Sequence, residues 1–215
     1  MKKHSRLFGI LFWLILWQCT AMLINKRIIL VTPIAAVKRL FELCTEASFI
    51  RTVLNSFLRI GAGFIAGAVI GTVTAALSAR FNAAKAVIDP FMSAVKAVPV
   101  ASFIIFALFF LKSSALSFLI SALMVMPVIY DAVGKGIENA DIKLIEAADI
   151  FALSPYRRVR YLYFPSVMPF LTAAFRTAAG LAFKSGTAAE VIGQPDLTLG
   201  DMLYRSKIYL ETADL

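Results

Sequence analysis

The chain has 215 residues, 60% hydrophobic and 16% charged, with 22 Lys and Arg against 13 Asp and Glu. An ordinary soluble domain is about a quarter charged; here the charges fall in clumps with long empty gaps between them, which makes this a polytopic membrane protein. One histidine (His4), two cysteines (Cys19 and Cys44) and no GxxxxGK[ST] segment exclude a His-based metal site, a catalytic triad, a zinc cluster and nucleotide hydrolysis through a P-loop. The net charge of +9 lies beside apolar runs rather than in one patch, so it speaks for lipid headgroups and orientation, not nucleic acid.

Lys2, Lys3 and Arg6 precede an apolar run with Trp13 and Trp17. A signal peptide shares this design, but the bulky residues near Cys19 make a poor cleavage site, so a retained span over 7–24 is expected. The segment 25–57 is too charged to cross a membrane. Within it Thr32-Pro33 reads as an N-cap and first helical residue. Ile34, Val37, Phe41 and Cys44 recur at helical spacing, with Lys38, Arg39 and Glu42 off that stripe, predicting a short amphipathic helix on the membrane surface or against the bundle.

A second span is expected over 58–79, because Ile60 to Ala79 is 20 residues without a charge, about 30 Å of helix. Gly63, Gly67 and Gly71 form a row of small residues at four-residue spacing, which admits a neighbouring backbone, within the subunit or across a homodimer. A third span is expected over 97–111, including Pro99, and a fourth over 113–130, where Pro127 should kink the helix. A polar loop over 131–165 precedes a fifth span over 166–190. Thr198-Leu199-Gly200-Asp201 then fits a capped final helix. The expectation is one all-α transmembrane domain over 1–215 with a cytoplasmic N-terminus, which the positive-inside rule weakly favours.

The loop over 131–165 carries the functional signal. Asp141 can cap one short helix and Ser154-Pro155 can start another, made strongly basic by Arg157, Arg158 and Arg160. Such an elbow, with Ala147 and Ala148 small enough for close approach, suits docking of another protein.

Glu146-Ala147-Ala148, then three residues, Ala152, nine residues and Leu162-Tyr163-Phe164-Pro165 resemble the EAA loop of ABC importer permeases, whose pattern is EAA, three residues, Gly, nine residues, Ile-x-Leu-Pro. Ala152 replaces the Gly, Leu162 the Ile and Phe164 the Leu. The Ala152 change matters most, because a helix end that needs φ > 0 costs alanine about 1 kcal/mol. Ser56 to Phe64 and Ala189-Glu190-Val191-Ile192-Gly193 resemble the nitrate/sulfonate/taurine-type subgroup.

The resemblance implies a type I importer permease fold in the cytoplasmic membrane. It also implies coupling through Glu146, Ala147, Ala148, Ala152, Leu162 and Pro165 to a separate ATPase that holds the ATP and Mg. This chain would bind no cofactor and would work with a second permease copy and an extracytoplasmic substrate-binding protein. The family's core continues with a further membrane helix where this sequence ends, so a truncated chain is expected.

Arg176 and Lys184 interrupt the fifth span. A mid-membrane arginine costs about 2.5–3.5 kcal/mol. Either Arg176 finds a carbonyl or an acid such as Glu190 or Asp131, or it snorkels to the interface, or it lines an anion path with Lys184. Arg59 reads as an anchor at the start of the second span. The competing function, a secondary transporter or channel, would want a discontinuous helix pair or inverted repeat, and no such symmetry is visible.

Overall fold

The computed structural model describes residues 2–24, 26 and 28–214, with side chains from residue 8 onward; the His4 side chain and Leu215 lie outside these. All regular structure among the described residues is helical: α1 (Lys2–Ile24), α2 (Pro33–Cys44), α3 (Ala47–Arg80), α4 (Asn82–Ala97), α5 (Val100–Leu108), α6 (Ser113–Glu138), α7 (Ile142–Ile150), α8 (Pro155–Arg158), a π-helical turn (Val159–Tyr163), α9 (Phe164–Gly193) and α10 (Leu199–Tyr209). Among the described residues three helical stretches are long and apolar enough to cross a membrane, α3, α6 and the run Pro155–Gly193, or four if the bent pair α4 and α5 is one span.

The chain gathers into two compact units, residues 1–55 with 194–215 and residues 56–193. In the first, the Thr32 hydroxyl accepts from the Ala35 N–H, so the expected cap and Pro33 start α2. Ile34, Val37 and Phe41 are exposed and Leu43 is buried, the disposition that a helix lying on a bilayer surface needs. Trp17 Nε1 donates to the Val31 carbonyl at 3.0 Å. Arg39 grips Asp214 with two bonds, Nη2 to Oδ2 at 2.9 Å and Nε to Oδ1, which holds the guanidinium above its ordinary value. Thr198 accepts from the Asp201 N–H and opens α10 as its spacing suggests.

The second unit is built on α6, which is buried along most of its length. Against one side lies α3, running in the same direction. A Cβ on Gly63 would stand 2.4 Å from the Phe118 carbonyl oxygen, one on Gly67 2.5 Å from that of Ala122, and one on Gly71 2.5 Å from that of Met126. The glycine row is therefore a backbone-to-backbone seam within the subunit, the closest approach two helices can make.

Against another side lies α9, antiparallel. Ser121 Oγ donates to the Ala182 carbonyl at 3.1 Å, and Ala178, Ala182 and Ala189 are fully buried. Ser56 Oγ donates to Glu190 Oε2 at 2.7 Å in the interior, joining α3 to α9.

Two expectations are corrected. No single helix covers 97–111: α4 and α5 meet at a 100° bend. Val98 is extended (ψ 134°) because Pro99 follows it, and α5 has only nine residues. The loop over 131–165 is shorter than expected, since α6 runs on through Pro127 to Glu138 and α8 opens the 39-residue stretch that becomes α9. α3 begins before the expected span, at Ala47, so Arg59 lies within the helix.

Candidate functional site

The elbow between α6 and α9 begins where the Asp141 side chain accepts from the Lys143 N–H at 2.9 Å and starts α7. At the other end of α7 the Leu153 N–H reaches back to the Ala148 carbonyl at 2.9 Å and the Ala152 N–H to that of Asp149 at 3.0 Å. This paired pattern is a Schellman stop, which places the residue between its donors in left-handed backbone. That residue is Ala152, with φ +46°. Ser154 then precedes Pro155 in extended backbone, and α8 begins without a side-chain cap bond.

Arg158 ties the corner together. Its Nε donates to the Leu153 carbonyl at 3.0 Å and its Nη2 to the Ala148 carbonyl at 3.3 Å, while Nη1 pairs with Asp149. A cation is favoured at a helix C-terminus, where carbonyls lack partners. Beneath it Ala140, Ala148 and Leu162 form a small buried core, joined by Ile145, Leu153 and Tyr163.

The six residues singled out by the loop pattern thus divide. Ala148 and Leu162 are buried in the elbow's own core, so the small size of Ala148 serves packing inside the corner. Glu146, Ala152 and Pro165 are exposed and Ala147 is half-buried. Arg158 was visible in the sequence only as one of three basic residues; its signal was a cation four residues past Ser154, close behind the C-terminus of α7, where positive charge is favoured. The pattern also missed the apolar tip: Ile142, Ile150, Phe151 and Tyr156 are 70–81% exposed.

On α9, Arg176 and Lys184 are exposed, and Gly180 between them completes an exposed row at four-residue spacing. The acids considered as partners for Arg176 are engaged elsewhere. Asp131 pairs with Lys96 at 3.0 Å and Glu190 accepts from Ser56. Three cross-links (Lys96 to Asp131, Tyr130 to Asp89 and Lys85 to Glu138) bind α4 to α6. No group of three or more His, Cys, Asp or Glu that could hold a metal occurs among the described residues.

The sequence profile of the family described as "Binding-protein-dependent transport system inner membrane component" matches residues 60–214, which takes in α6, the elbow and α9. The chain is also similar to the "Putative aliphatic sulfonates transport permease protein SsuC" of Bacillus subtilis (strain 168), 23% identical over 216 residues that cover 98% of this chain and 78% of that protein. With the match covering the helical unit and its elbow together, the chain belongs to the family of inner membrane components of binding-protein-dependent transport systems.

Proposed function

We propose that the protein is the non-catalytic permease subunit of an ATP-driven importer, moved by a separate ATPase through the elbow over 141–165. The observation that carries this is the exposed apolar tip of Ile142, Ile150, Phe151 and Tyr156 on a corner held rigid from within by Arg158 and Ala148. Four large apolar side chains left exposed over residues 142–156 of one ordered corner suit a protein contact. The C-termini of α3 and α6 share an end of the unit with the elbow, and Arg80, Lys135, Lys143, Arg157 and Arg160 gather there, which supports a cytoplasmic elbow and a cytoplasmic N-terminus. ATP and Mg are held by the partner, and this chain supplies only the lever.

The exposed row of Arg176, Gly180 and Lys184 supports a solute path at an interface with a second permease copy, since a mid-span arginine belongs against a cavity or another chain rather than lipid. Together with the likeness to SsuC, a cationic path suits a sulfonate- or nitrate-like anion, delivered by an extracytoplasmic binding protein.

The test begins with impermeant thiol labelling of single cysteines placed at Lys143 or Arg157 in intact cells; labelling from outside overturns the reading. Glu146→Lys should leave the partner's ATP hydrolysis intact while uptake falls at least tenfold. Arg176→Gln should abolish uptake with the ATPase still co-purifying, and loss of that assembly would make Arg176 structural.

A further inference from the structure

Between α3, α6 and the stretch from the π-helical turn into α9 runs a groove of about 390 Å³, open along one side. Its walls are almost wholly apolar, with Ala76 from α3, Val133 and Ile137 from α6, and Val167, Met168 and Leu171 from α9. Its cation is Arg80, the last residue of α3. Arg80 is exposed and lies over the Phe81 ring at 5.4 Å, and no carboxylate lies within ion-pair distance of it among the described residues. Val159 and Tyr163, two of the five residues of the π-helical turn, complete the lining.

An apolar slot that ends on one unpaired guanidinium, at the end of a membrane helix, matches one acyl chain and one phosphate. Basic pockets between membrane helices hold anionic headgroups in this way, whereas a protein segment seated there would have to bring its own carboxylate to Arg80. We propose that the groove binds an anionic phospholipid, its acyl chain in the slot and its phosphate on Arg80. The lipid then lies against the π-helical turn, the one departure from α geometry in the run from the elbow to Gly193. Such turns recur at functional sites, and an occupant here braces the joint between elbow and span.

The test uses the full chain in phosphatidylcholine nanodiscs doped with brominated phosphatidylglycerol, with Tyr163→Trp as reporter after subtraction of the Trp13 and Trp17 emission. Val159→Trp serves if Tyr163→Trp does not assemble. Quenching by phosphatidylglycerol should saturate and exceed that by brominated phosphatidylcholine several-fold. Arg80→Gln should erase the preference, and Ala76→Phe, which fills the slot, should lower quenching by both lipids. Equal quenching by the two lipids means bulk contact only and overturns the proposal. A preference that survives Arg80→Gln does the same, as does absence of quenching, which would place a protein segment or a second copy in the groove.

Discussion

The seam between α3 and α6 and the elbow between α6 and α9 are rigid for opposite reasons. In the seam the determinant is a missing atom: Gly63, Gly67 and Gly71 let carbonyls of α6 come to where a Cβ would be, and dispersion between backbones replaces the hydrophobic drive that lipid cannot give. In the elbow the determinants are added groups: a cap from Asp141, a Schellman stop at Ala152 and a guanidinium spread over two carbonyls and a carboxylate. The elbow is a local structure with a three-residue buried core of its own, so its opening need not disturb the seam.

Substitution can separate the two regions. The largest effect is expected at the seam: Gly67→Leu sets a side chain against the Ala122 carbonyl and Val125, at a cost of about 3 kcal/mol. Gly61→Leu is the control, since Gly61 lies on the same helix with nothing within 4 Å of its would-be Cβ. Thermal unfolding of the purified chain should show a large loss for the first and none for the second; equal losses would dissolve the seam. At the elbow, Arg158→Ala should cost about 2 kcal/mol, the scale of charge-assisted hydrogen bonds. The loss should be confined to faster hydrogen exchange over 142–153 with α6 unchanged. Arg158→Lys should rescue little, because a single ammonium cannot span the two carbonyls and Asp149 at once.

What could be read from the sequence follows the range of each determinant. The glycine row, the caps at Thr32, Asp141 and Thr198, and the start at Pro155 are written in residue type at fixed local spacing, and each appears where the sequence placed it. The bend at Val98-Pro99 was equally local, yet the uncharged run across it hid the signal: hydropathy reports burial in lipid and says nothing of backbone continuity. Of the elbow, the backbone was legible and the surface was not. Whether Ala148 faces a partner or the elbow's own core depends on where Leu162 arrives, fourteen residues later. The engagement of Asp131 and Glu190 by Lys96 and Ser56 rests on pairings across 35 and 134 residues, which no local spacing contains.

The smallest expected effect is the most informative, because its sign differs from the others. Ala152 holds φ +46° in a stop whose two hydrogen bonds are both formed, so the strain of a Cβ in left-handed backbone is already present in the folded chain. Ala152→Gly removes that strain and leaves every partner in place. It also frees the unfolded chain, which gives back part of the gain. The net is a stabilisation of about 1 kcal/mol, or close to fivefold slower exchange over α7. If transport depends on the elbow yielding, the stiffer variant should keep its ATPase partner yet turn over more slowly. If the elbow acts as a rigid lever, turnover should hold or rise. Exchange and turnover measured on the same variant therefore decide whether the strain at Ala152 is a tolerated departure or a working part of the corner.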